Sequence, residues 1–193
     1  AGQFAMTWLP GTDEKPIALI PNWKKFALNI ESKGLATKKM SGQKAGDKFG
    51  IRGPYGKGFT VKGIKRAAIV AGGIGIASVV KLAQELKKEK CETTIILGSR
   101  TRERIIFEKE LKQFGKILVA TDDGSYGEKG FNIQILERIL AETKAKKRPE
   151  MIYACGPEIM MVKAFETSKK FRVKFEASLE RFMKCGIGIC GQC

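Results

Sequence analysis

Ala67-Ala68-Ile69-Val70-Ala71-Gly72-Gly73-Ile74-Gly75-Ile76-Ala77 runs from an unbroken apolar stretch through three glycines into helical spacing. Five apolar residues without alternation suit a parallel strand covered on both faces. Gly72, Gly73 and Gly75 let backbone N–H groups approach a ligand at the start of the next helix. That helix end carries partial positive charge and suits a pyrophosphate. The spacing departs from the strict G-x-G-x-x-G fingerprint, so a tight turn without a ligand remains the competing reading.

Downstream the pattern alternates. Strands are expected at 93–97, 117–120 and 151–154, and helices at 76–88, 107–114, 133–141 and 158–168, with a last strand over 171–177. Such alternation implies a parallel sheet with right-handed crossovers, whose ligands bind at the carboxyl ends of the strands. Gly98-Ser99-Arg100 and Cys155-Gly156-Pro157 end two of these strands. Arg100 suits a phosphate, and Cys155 suits a ring-placing position or a buried core thiol. Asp122 and Asp123 end a third strand. They disfavour a 2′-phosphate and so favour NAD over NADP, or they are turn residues.

Upstream the texture differs. Over residues 1–63, short apolar runs at 3–9, 16–20, 26–31 and 48–52 are broken by Gly and Pro. They read as about four strands of a small antiparallel sheet or barrel. The expected organisation is a barrel over 1–63, a parallel α/β domain over 64–177 and a short segment over 178–193.

That last segment holds Cys185, Cys190 and Cys193 in C-x4-C-x2-C spacing. With a distant fourth cysteine this is the plant-type [2Fe–2S] ligand pattern. Gly186, Gly188 and Gly191 would let amides turn toward the cluster. Zinc is the competing metal, but its ribbons usually pair two C-x2-C knuckles. Cys91 begins a strand and Cys155 ends another, so neither is a natural fourth ligand. The expectation is a chain cut short at its C-terminus.

The net charge is +16, from 36 Lys+Arg against 20 Asp+Glu. The lysines scatter as singles and pairs, which suits a solvated surface or attraction of anionic cofactors and an acidic partner, with no nucleic acid expected. No run of eighteen apolar residues exists, so no membrane span is expected. Clustered thiols without an export signal point to metal ligation in the reducing cytoplasm. The chain has no His, the commonest proton shuttle, which fits an electron relay without a catalytic acid or base.

Taken together these residues resemble the ferredoxin–NADP reductase superfamily, and within it the electron-transfer subunits of NAD-dependent dihydroorotate dehydrogenases. Gly2-Gln3-Phe4 is similar to the family's G-Q-F strand. Gly53-Pro54-Tyr55-Gly56-Lys57-Gly58-Phe59 is similar to its G-P-x-G-x-G-F turn. The Gly72–Gly75 turn, Cys155-Gly156-Pro157 and Ser178-Leu179-Glu180-Arg181 with the cysteines follow in order.

The resemblance implies a fold of class β + α/β: a flavin-binding antiparallel β-barrel, N-terminally incomplete, then a parallel-sheet NAD-binding α/β domain and a short [2Fe-2S] segment. It implies FAD at Lys15, Pro16, Ile17, Ala18, Ile30, Glu31, Ala36 and Thr37, and NAD(H) at Gly72, Gly73, Gly75, Ser99, Arg100, Cys155, Gly156 and Pro157. Cys185, Cys190 and Cys193 would hold the cluster. The family's R-P-x-S appears here as Lys15-Pro16-Ile17-Ala18, which keeps a positive charge but neither the fork nor the hydroxyl. The flavin-phosphate loop appears as Gly34-Leu35-Ala36-Thr37. The resemblance further implies a flavin-containing catalytic subunit as partner, in a heterotetramer. Electrons would pass from dihydroorotate, through cluster and flavin, to NAD. Flavoprotein subunits of soluble hydrogenases and sulfhydrogenases share the plan. NADH-dependent ferredoxin–NADP transhydrogenases usually replace the first Cys by Asp, and Cys185 speaks against them. A basic binding module with a zinc tail is the alternative of another class.

Overall fold

The computed structural model describes residues 1–22 and 25–193. The chain divides into two compact units: Ala1 with Phe59–Leu179, and Gly2–Gly58 with Glu180–Cys193.

In the first unit the strands are β5 (Arg66–Gly72), β6 (Glu92–Ser99), β7 (Lys116–Thr121), β8 (Glu128–Lys129), β9 (Met151–Cys155) and β10 (Lys174–Ser178). They form one sheet in the order β10-β9-β5-β6-β7-β8, with every neighbouring pair parallel. The chain leaves β5 toward β6 on one side and reaches β9 on the other, so β5 is the topological switch point. Helices α2 (Gly75–Lys88), α3 (Glu108–Leu111), α4 (Asn132–Glu142) and α5 (Glu158–Phe171) connect the strands. In α2 the buried Ile76, Val79, Val80, Ala83 and Leu86 recur at helical spacing, one apolar stripe against the sheet. In the other layer, Leu136 and Leu140 of α4 and Met161 and Ala164 of α5 pack on Val70, Ile96 and Ile152.

Two elements are shorter than the sequence pattern suggests. The helix expected over 107–114 is one turn, because Phe107 has φ 57° and cannot belong to it. Gly115 then turns tightly: a Cβ there would lie 2.4 Å from the Thr93 carbonyl oxygen. The strand expected from 171 starts three residues later. Phe171 ends α5, and Arg172 at φ 55° closes it in the left-handed region, with the Val173 amide bonded back to Ser168 at 2.9 Å.

In the second unit β1 (Phe4–Trp8), β2 (Lys15–Asn22), β3 (Lys25–Leu28) and β4 (Gly50–Tyr55) form an antiparallel sheet in the order β3-β2-β1-β4. A bulge shifts the β1–β4 register between Phe4 and Met6. The segment read as a flavin-phosphate loop, Gly34-Leu35-Ala36-Thr37, runs directly into a short helix, α1 (Leu35–Ser41). Its buried Ala36 and Met40 stand one turn apart, and the Met40 sulfur lies 3.8 Å from the Thr7 hydroxyl of β1. The antiparallel sheet and the parallel α/β layer are therefore present as expected. Among the described residues, no helix is long and apolar enough to cross a membrane.

Candidate functional site

The parallel ladder brings the predicted nucleotide-site residues to one edge. Gly72 stands opposite Gly98, Ala71 opposite Cys155, and Ser99 opposite Thr121. The three glycines of the turn then separate by role. A Cβ on Gly75 would fall 2.5 Å from the Cys155 carbonyl oxygen, and one on Gly72 would fall 2.8 Å from the Met160 sulfur. Backbone packing demands Gly75, whereas at Gly72 the near neighbour is a flexible methionine side chain. Gly73 has φ +54° and open space where its side chain would be. It is the glycine past which a ligand's pyrophosphate could approach the N-terminus of α2. The Gly73 amide itself is bonded to the Gly98 oxygen at 3.1 Å, which ties the turn to β6.

Cys155 ends β9 and is buried, as is Gly156, while Pro157 and Arg100 are exposed and Ser99 is partly so. The Ser99 and Arg100 carbonyls accept from the Asp122 and Asp123 amides at 3.0 and 3.3 Å. Asp123 serves the turn. It accepts from the Ser125 hydroxyl at 2.7 Å and amide at 2.9 Å, and these bonds hold its carboxyl below the usual range. Asp122 is left exposed at the strand end. Asn132, unremarkable in sequence, is buried under this edge. Its amide nitrogen donates to the Ala71 oxygen at 3.1 Å, in space a Cβ on Gly98 would fill.

The predicted flavin residues lie in the other unit. Lys15, Pro16, Ile17 and Ala18 open β2, paired with Thr7, Met6, Ala5 and Phe4. Lys15 lies 3.8 Å from Asp13. Ile30 and Glu31 follow β3 and are half-buried. Next to them the Asn29 side-chain nitrogen is buried with no partner among the described residues, a donor that a ligand's acceptor would satisfy. This fits a bound polar cofactor beside β3. Ala36 faces inward, and the Thr37 hydroxyl accepts from the Lys33 and Gly34 amides at 3.0 Å each. Those two residues build α1.

In the C-terminal segment Cys185 is half-buried, and Cys190 and Cys193 are exposed. The Ile187 amide, then the Cys190 amide and thiol and the Ile189 amide, hydrogen-bond the Cys185 sulfur and bring its pKa down to about 6. Gly186, Gly188 and Gly191 have φ of +73°, +84° and +67°, the left-handed values that turn such amides inward. Glycine-turned backbone around this sulfur fits a thiolate-ligated metal group. Among the described residues no three Cys, Asp or Glu side chains are gathered as a preformed metal group.

The family model described as "Oxidoreductase NAD-binding domain" matches residues 69–166. A solved structure of an NADH-dependent reduced ferredoxin-NADP oxidoreductase superposes with a TM-score of 0.90, at 28% identity over 100% of this chain and 70% of that one. The FAD/NAD-binding domain of a nitric oxide dioxygenase from Vibrio cholerae, at 18% identity over 91% of this chain and 84% of that one, shares the fold with a TM-score of 0.74. Fold and edge thus define an NAD-binding oxidoreductase component of the ferredoxin-reductase kind. Among curated proteins, the probable dihydroorotate dehydrogenase B (NAD(+)) electron transfer subunits of Methanocaldococcus jannaschii and Pyrococcus furiosus are 45% and 42% identical over 100% of this chain and 72% of their own lengths. The chain belongs to the family of dihydroorotate dehydrogenase B electron-transfer subunits.

Proposed function

We propose that the chain passes electrons between NAD and a partner flavoenzyme that oxidises dihydroorotate to orotate in pyrimidine biosynthesis, in the cytoplasm and within a heterotetramer. One observation carries this reading: a single family covers the glycine turn and the cysteine segment together, over 100% of the chain. It favours this reading over a hydrogenase-type subunit and over a zinc-tailed binding module. Bound NAD(H), FAD and a [2Fe–2S] cluster would supply hydride exchange and single-electron relay.

The chain's own residues bind and orient. The turn at Gly73 admits the NAD pyrophosphate, with Ser99 and Arg100 beside it and Cys155, Gly156 and Pro157 flanking the nicotinamide. Lys15, Pro16, Ile17, Ala18, Ile30, Glu31, Ala36 and Thr37 hold FAD, with Asn29 as an added donor. Cys185, Cys190 and Cys193 ligate the cluster.

The test is cofactor analysis of the native complex. FAD should be released on denaturation, and iron and acid-labile sulfide should be present in equal amounts. Cys185→Ser, Cys190→Ser and Cys193→Ser should each remove the visible iron–sulfur spectrum. Full iron content in all three variants would rule out the cluster assignment, and zinc in place of iron would favour the binding module.

A further inference from the structure

We infer that Arg52, braced by Glu14, is the positioning residue for the first cluster cysteine, Cys185. The inference rests on the metal reading above. Arg52 lies on β4, opposite Met6 of β1. Every nitrogen of its guanidinium has a partner. Nε donates to Glu14 Oε1 at 2.8 Å, and Nη2 donates to the other Glu14 oxygen. Nη1 donates to the Cys185 carbonyl oxygen at 2.6 Å and to the Tyr55 hydroxyl at 3.4 Å. Nη2 also reaches the Lys184 carbonyl oxygen at 3.3 Å.

The next residue completes the seat sterically. A Cβ on Gly186 would lie 2.9 Å from Met6 Cγ and 3.5 Å from the Tyr55 ring. Cys185 is therefore fixed to the sheet by a charged fork at its own carbonyl and by close packing one residue later. Beyond it this steric seating stops: a Cβ added at Gly188 or Gly191 would meet nothing within 4 Å, and Ile189, Cys190 and Cys193 are exposed. The first ligand is the anchored one.

Geometry is what Arg52 supplies. Glu14 neutralises its charge, and the planar fork spans two successive carbonyls while holding a carboxylate two-handed. A lysine ammonium keeps the charge and loses that arrangement. None of these groups is deeply buried, so replacing Arg52 costs placement more than desolvation.

The experiment compares wild type, Arg52→Gln, Arg52→Lys and Glu14→Gln in the full chain with its native partner. Three properties are read: the paramagnetic resonance spectrum of the reduced cluster, iron per flavin, and amide hydrogen exchange over residues 180–193. Both Arg52 variants should alter the spectrum and lower iron per flavin. Exchange over residues 180–193 should quicken about tenfold, the size of one charge-assisted hydrogen bond. Glu14→Gln should move all three properties less, in the same direction. Flavin content should stay at the wild-type level in every variant, reporting an intact sheet. Wild-type spectrum and exchange in both Arg52 variants would overturn the proposal, as would full rescue by Arg52→Lys, which would make charge the agent. A wild-type chain without iron would overturn the metal reading, and the exchange comparison would then decide separately whether Arg52 seats the segment.

Discussion

The turn after β5 and the C-terminal cysteine segment are both rich in glycine, for opposite reasons. In that turn Gly72 and Gly75, and beside it Gly156 at the end of β9, are buried where a Cβ would strike a neighbour between 2.5 and 2.8 Å away. Gly188 and Gly191 strike nothing and are needed for their left-handed φ. The first region is built by a parallel ladder and a close-packed core, so its shape is set before any ligand arrives. The second hangs from one arginine and one packed glycine, so its shape depends on a few polar contacts and on what it binds. Substitutions at the turn should therefore cost stability, and substitutions at the segment should cost cofactor.

The largest effect is expected at Gly75→Val. The branched side chain must enter occupied space, so the variant should lose about 3 kcal/mol or more in urea unfolding. Gly73→Val separates ligand from packing. It should cost only about 1–2 kcal/mol for the strained φ, while NADH oxidation falls at least tenfold and flavin content stays normal. Loss of flavin together with NADH oxidation would contradict the assignment of the two cofactors to different units.

A single buried polar contact should matter less. The Tyr153 hydroxyl donates to the Thr60 carbonyl from a fully buried ring, and burial pushes its pKa up. Tyr153→Phe should cost about 1 kcal/mol, measured by the same unfolding curves. The smallest effect is at the exposed pair Glu128–Arg138, joined at 2.6 and 2.7 Å. The hydrogen bonds from Arg138 hold the Glu128 carboxyl below its usual value of 4.5. Its contribution is therefore full above that value and is lost as pH falls through the lowered one. Glu128→Gln should cost less than about 1 kcal/mol at pH 7, with the difference from wild type vanishing in acid.

The α/β unit was largely legible because its signals are local. An apolar run reads as a covered strand, and helical spacing reads as a helix wherever the chain is read. What was not legible depends on distant partners or on single dihedrals. Phe107 and Arg172 shorten their elements through left-handed φ values that no composition announces. The helix α1 is held by Thr37 bonding back to Lys33 and Gly34. In sequence this looks like part of a loop. The three glycines of the turn looked alike until the Cys155 carbonyl and the Met160 sulfur separated them. Arg52 carried no signal at all, because its partners Cys185 and Glu14 lie 133 and 38 residues away.

The electron-relay reading meets its hardest test in an anaerobic titration of the native complex with NADH, followed by optical absorbance and paramagnetic resonance. The flavin band should bleach and a reduced [2Fe–2S] signal should appear in the same titration, with dihydroorotate producing both changes from the partner's side. Flavin and iron that both stay oxidised under excess NADH would contradict an electron path from nicotinamide through this chain.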